Sequence, residues 1–409
     1  MGLDSLKLTP LDIFAIVFFL LMLAFFLNPR LERNRLWSAT AVPLASIIGS
    51  GYLVAAPLLY YAVGDLAFLA MAAIVFLAYL IGEAIRYNIL YAEPLIYSSK
   101  EGSFHYFLLE VERFSNLALA FAYTISVAFY LRLMSAFIFA GFFHRDWFLE
   151  NLLTTAILLF IGIAGFLKGL DFLEFLDKYA VALNLSIIFT FLASLVIYDI
   201  LHGFPTHFVV KPITFETLQI LAGILLIVQG FETAKYLGEK YTPQERVKAM
   251  KLAQIISGFI YVSFIFLITP LFRLLEHHKL DATAIIILAT ALSVVLGFLI
   301  KTGPLVSQFG AAVADTISAG GLIQRETHGK ISSKTGYLLL ALIDTALVWS
   351  LNIFGIIAYA SKAFAFYYML QTFIAAAVAY YRRSWGYFLL FAILLPVLAF
   401  ITVFGKSAE

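Results

Sequence analysis

The sequence predicts an all-α polytopic membrane protein of about twelve transmembrane helices: a five-plus-five inverted repeat with one extra helix before the core and one after it. Three observations carry that expectation. Of 409 residues, 63% are hydrophobic and 13% charged, and apolar runs of about 20 residues, enough to cross a hydrocarbon layer, recur along the chain. Lys and Arg gather in alternate loops. Two spans are interrupted near their middles by small and polar residues, Ile47-Ile48-Gly49-Ser50-Gly51-Tyr52 and Val228-Gln229-Gly230-Phe231-Glu232.

The apolar runs place spans near 11–27, 38–62, 65–88, 116–142, 150–168, 179–199, 217–238, 252–273, 293–318, 336–356, 362–381 and 385–404, with a short loop helix over 282–292. The runs are continuous rather than alternating, which argues against a β-barrel. The first run is a retained span, because Arg30, Arg33 and Arg35 follow it, whereas the basic end of a cleaved signal peptide comes first. With no Cys, disulfides, thiolate metal sites and cysteine nucleophiles are excluded. A net charge of +2 carries no implication of nucleic acid.

Arg30, Arg33 and Arg35, then Arg86, Lys100 and Arg113, then Lys168 and Lys178, Lys240 to Lys251, Arg325 to Lys334, and Arg382 with Arg383 mark every second loop as cytoplasmic. Both termini are then expected outside a cell membrane. On this topology the first broken span enters from the cytoplasm and the second, five spans later, from outside. That reversal is the signature of an inverted repeat, divided here as 1–37 (extra helix and loop), 38–200, 201–381 and 382–409 (extra helix). In lipid an unpaired backbone group costs several kcal/mol, so breaks at mid-depth are expected to line a cavity.

The residues at these breaks resemble a known family. Ala45 to Gly51 is similar to the glycine-rich first core helix of the amino acid, polyamine and organocation (APC) superfamily, whose fold is that of the leucine transporter. Gln229 to Glu232, followed by Gly238-Glu239-Lys240-Tyr241-Thr242-Pro243 and Arg246, resembles its sixth core helix and acidic, Pro-containing end. Ala84 to Gly102, with Glu93-Pro94, resembles the end of its second core helix. The chain departs from the family at Ala314-Asp315, where many members carry Ser-Arg, at Asn184, where some proton-coupled members carry Lys, and at Gln308 after Ser307.

The resemblance implies alternating access around a midplane site. Substrate contacts are expected at Ile48, Gly49, Ser50, Gly51, Gln229, Gly230 and Phe231, with Tyr123, Tyr130 and Arg132 beside them. Free N–H groups near Gly49 and Gly51 suit a carboxylate, and carbonyls near Gly230 suit a donor group. Glu232, Ser307, Gln308 and Asn184 are candidates for coupling to a proton or sodium ion. Arg132 is open between a carboxylate partner, a counter-charge to Glu232 or Asp344, and a structural ion pair. Glu232, Lys235 and Glu239 share a helical face as a possible ladder. Asp344 is expected to be paired structurally, Glu83 and Arg86 to pair with each other, Gly162 and Gly165 to pack, Lys301 to snorkel, and His277-His278 to be solvated rather than to bind metal.

The expected partners are a small-molecule substrate and the lipid bilayer, with no obligatory protein partner and no cofactor beyond the coupling ion. An amino acid or amine is the expected cargo, with an inorganic ion or a nucleobase on the same fold as the alternative. An enzyme acting on lipid-linked substrates would need acidic or His clusters in its loops, and the loops are short and basic. No catalytic residue is assigned.

Overall fold

In a computed structural model the chain is described over residues 8–49, 51–97, 102–170, 175–204, 209–276 and 278–408, with side chains omitted at Glu32 and 175–178. Apart from one isolated bridge, Gly64 to Val210, the described secondary structure is helical. Helix α1 (Pro10–Phe26) opens on a reciprocal cap between Thr9 and Asp12, and Asp12 also accepts from Ser293 Oγ at 2.6 Å. After the short α2 (Pro29–Glu32), the first broken span is α3 (Arg35–Ile48) plus α4 (Gly51–Val63). Next comes α5 (Ala67–Tyr87), ending in a π-turn over Asn88–Ala92 and the short α6 (Glu93–Ile96). The first half closes with α7 (Ser103–Phe142), α8 (Trp147–Lys168) and α9 (Phe175–His202).

The second broken span is more irregular. α10 (Phe215–Ala222) lasts eight residues, 3-10 turns follow over Leu225–Val228 and Phe231–Tyr236, and Gly230 between them has φ +115°. Then come α11 (Pro243–Ile268) with a 3-10 extension to Leu275, the loop helix α12 (Ile285–Leu292), α13 (Val294–Glu326), α14 (Ser333–Ser350), α15 (Ile353–Tyr381) and α16 (Trp385–Phe404). Among the described residues nine helices are long and apolar enough to cross a membrane. The other three predicted spans are α1 with 17 residues, the interrupted segment to Tyr236, and α14, whose 18 residues include Lys334 and Asp344.

Several boundaries depart from expectation: α11 starts at Pro243 instead of 252, behind a reciprocal cap between Thr242 and Glu245, and α13 runs to Glu326 instead of 318. α7 starts at Ser103, well before the predicted 116, because the charges that interrupt the apolar run, Glu110, Glu112 and Arg113, lie on the helix: Glu110 and Arg113 pair at 3.0 Å, and Glu112 is buried. α15 starts at Ile353 instead of 362, capped by Asn352 Oδ1 on the Gly355 amide at 2.7 Å, so Lys362 falls inside the helix. Gly162 and Gly165 serve packing as expected, since a Cβ there would press on Ala341 and Tyr337 of α14.

The expected sidedness groups residues correctly in space. At one end Arg35 meets Glu245 at 2.5 Å, Arg246 meets Glu93 at 2.6 Å, and Arg113 meets Glu326 at 3.7 Å. At the other, Lys406 pairs with Glu216 at 2.5 Å, and the Val209 amide donates to Asp65 at 2.7 Å. The first set belongs to the loops that the charge bias makes cytoplasmic.

Candidate functional site

The break between α3 and α4 leaves the last carbonyls of α3 without helical donors. Side chains from three other helices supply them. Tyr261 Oη on α11 donates to Ile47 O at 2.8 Å, and Asn184 Nδ2 on α9 reaches Ile48 O at 3.1 Å and Gly49 O at 3.3 Å. Gln308 Nε2 on α13 donates to Gly49 O at 2.9 Å. The backbone break is thus held open by neutral donors. Asn184 and Gln308, candidates for holding an ion, act here as backbone caps, and Ser50 lies outside the described residues.

The second break packs directly on the first. Tyr261 Oη also lies 2.6 Å from Ile227 O, so one phenol spans both breaks, and a Cβ on Gly51 would overlap Ile227 and Tyr261. A Cβ on Gly230 would overlap Ser46. The Gly230 amide donates to Glu232 Oε2 at 2.9 Å, and the same oxygen accepts from Tyr368 Oη at 2.8 Å; Tyr123 Oη stands 3.4 Å from Oε1. Glu232 is wholly buried in this cage of donors. Gln229 donates to Tyr130 Oη at 2.9 Å, and Phe231 stacks on Tyr368 with centroids 5.1 Å apart.

A cavity of about 1070 Å³ runs from the first break to the Arg246 and Arg325 end, lined by buried Ile48, Gly49 and Tyr123 at its closed end and by exposed Gly238 and Glu239 at its mouth. Asn184, Ser307 and Asp315 also line it. The opposite end is shut by Tyr60 stacked on Phe272, with centroids 4.7 Å apart, and by the backbone bridge of Gly64 to Val210. The cavity does not reach Gly51, Gln229, Gly230, Phe231 or Tyr130, which lie behind its wall; the second broken span contributes Thr233, Lys235 and Tyr236 instead.

Arg132 is not brought to the cavity. It pairs with Glu150 of α8 at 2.5 Å, and Glu150 also pairs with Arg145, which reaches Asp281 at 3.0 Å. The ladder of Glu232, Lys235 and Glu239 does not form: the 3-10 turn ends at Tyr236, before Glu239, Glu232 is held by the Gly230 amide and Tyr368, and Lys235 meets Glu112 of α7 at 2.6 Å and Gln371 of α15 at 2.8 Å. Asp344 is fully buried and, among the described residues, has no donor on either oxygen, where pairing was expected. Glu83 and Arg86 do pair, at 2.8 Å. Lys301 lies along Gly141. His277 lies outside the described residues, and among those described no group of three acidic, His or Cys side chains converges as for a metal.

The sequence itself matches known proteins. A family model described as an APC superfamily transporter matches residues 29–405. The chain belongs to the APC superfamily. A further relative of this APC transporter is a protein of Aquifex aeolicus (strain VF5), described only as uncharacterized and 61% identical over 403 residues, covering 98% of this chain and 99% of the relative.

Three residues of the transporter's centre are absent from the candidate site residues that the sequence offers. Tyr261 is one of 22 tyrosines, and only its hydrogen bonds distinguish it. Glu112 was hidden because the start of its helix was read as loop. Asp315 was visible as a departure from the family pattern, and the structure sets it in the cavity wall, accepting from Ser126.

Proposed function

We propose that this chain is a secondary active transporter that moves a small organic solute, an amino acid or amine, by alternating access, and that the conformation seen here opens toward the cytoplasm. The observation that carries the reading is the contact of two interrupted helices at the closed end of a cavity whose mouth carries the exposed Gly238 and Glu239. Interrupted helices at membrane depth are tolerated where they are buried in protein or line such a cavity. At about 1070 Å³ the cavity slightly exceeds the usual range for small-molecule sites, roughly 300–1,000 Å³, as an open vestibule should. Asp315 in its wall favours a solute with an ammonium group.

The coupling ion in this reading is a proton rather than sodium. Sodium would need oxygen ligands, and the carbonyls of Ile48 and Gly49 already accept from Asn184 and Gln308. Glu232 would be the proton carrier, with Tyr123 as the link, since its side chain both lines the cavity and approaches Glu232 at 3.4 Å.

Purified protein in liposomes, given an inward proton gradient, is expected to accumulate one member of a panel of amino acids, amines and nucleobases, with no stimulation by a sodium gradient. Glu232→Gln should abolish accumulation driven by protons while leaving solute exchange between equal compartments. Accumulation that follows sodium alone would overturn the proton assignment. Neither accumulation nor a thermal shift with any panel member would overturn the transporter of organic solutes.

A further inference from the structure

A second cavity, of about 690 Å³, lies on the membrane-facing side between α7, α14 and α15, away from the transport site. Its floor is aromatic and aliphatic: Phe114, Leu117 and Phe121 on α7 and Phe366 on α15, with the rings of Phe114 and Phe366 edge to face at 5.9 Å. Its upper end holds Tyr359 and Lys362 on α15 and Ser350 at the end of α14. From Phe114 to Ile125, the stretch of α7 that lines it, the helix rises about 16 Å, close to one leaflet's share of a hydrocarbon layer of roughly 30 Å.

Lys362 is the anomaly in this groove. It stands about 13 Å into α15 from Ile353, at hydrocarbon depth, and among the described residues no carboxylate comes within ion-pair distance of it. Its ammonium lies over the Tyr359 ring, one turn nearer the α14–α15 turn, at 5.8 Å from the centroid. A cation at this depth must be paired or wet, and its long stem lets the ammonium reach up toward the interface. One positive charge, two hydroxyls and no anion cap an apolar groove one leaflet deep.

We propose that this groove binds a phospholipid with an anionic headgroup from the leaflet at the α14–α15 turn, its phosphate on Lys362 and an acyl chain along Phe121, Leu117 and Phe114. Charge complementarity selects the headgroup, and the depth of the groove selects a single chain. The site is independent of the solute and of the coupling ion.

The full-length protein, released from nanodiscs of mixed phosphatidylglycerol and phosphatidylcholine, is to be examined by native mass spectrometry for retained lipid. Phosphatidylglycerol should be retained in preference, and Lys362→Gln should reduce that preference about fivefold, the weight expected for one basic residue against an anionic lipid. Lys362→Arg should keep it, and Phe121→Trp, which fills the groove, should lower retention of both lipids while leaving a folded monodisperse protein. Equal retention of the two lipids, or a preference unchanged in Lys362→Gln, would overturn the proposal. A shift from dimer to monomer in the Phe121 variant would overturn it too, by assigning the groove to a second copy of the chain.

Discussion

Gly230 shows how much one residue can carry at the centre of this fold. Its φ of +115° is closed to side chains, and the missing Cβ is the space into which Ser46 fits. Gly230→Ala is therefore expected to meet two separate costs, of which the backbone share alone is about 1–3 kcal/mol. Thermal unfolding in detergent should show a large loss for Gly230→Ala and little recovery in the double variant with Ser46→Gly, because the Ser46 backbone carbon would still stand 2.6 Å from the added Cβ. Tyr261 is the counterpart in side-chain chemistry. Tyr261→Phe keeps the ring but removes the one hydroxyl proton that the Ile47 and Ile227 carbonyls share, and burial makes such a loss worth about 1–3 kcal/mol. Its melting temperature should fall without any change in helix content. Gly49, Gly51 and Gly230 were legible in the sequence because glycine in a membrane span is conspicuous by composition. Tyr261 was not, because a tyrosine that spans two breaks has the same letters around it as one that anchors a helix at an interface.

At the scale of elements, charge decides how the scaffold helices sit together. Glu150 on α8 is almost wholly buried and balances Arg132 of α7, with Arg145 at its rim. Glu150→Gln would strand Arg132 in a dry setting, a loss of about 3–5 kcal/mol when one partner of a buried pair is removed. The double variant Arg132→Met with Glu150→Leu should regain most of that stability, as read by unfolding temperature. Asp344 on α14 runs the other way. It is buried with no donor on either oxygen, so Asp344→Leu is expected to raise the melting temperature, and an unchanged or lower value would mean that the carboxyl has a partner outside the described residues. Most helices could be read from apolar run length, since lipid demands it of each span separately. The starts of α7 and α15 could not, because helix beyond the lipid is set by contacts such as those of Glu112 with Lys235 and by the Asn352 cap, which apolar length does not report.

For the whole molecule, the ends of the transport path are unequal: one is closed by Tyr60 on Phe272, and the other is open from Gly49 to Glu239. The chain has no Cys, so single introduced thiols report access directly. Ser318→Cys, in the cavity wall, should react with a membrane-impermeant reagent from the cytoplasmic side only, whereas reaction from the outside alone would reverse the assigned orientation. By itself the sequence determined the membrane class, the order of the spans and the places where two of them break, because hydropathy and glycine act locally along the chain. Only the tertiary structure decided what the breaks do. It put Asn184, Gln308 and Tyr261 on their carbonyls, closed Glu232 behind Tyr123, and took Arg132 out of the cavity, since hydrogen bonds and ion pairs between different helices, from 18 positions apart for Arg132 and Glu150 to 259 for Gln308 and Gly49, depend on how helices pack, and no local pattern records that.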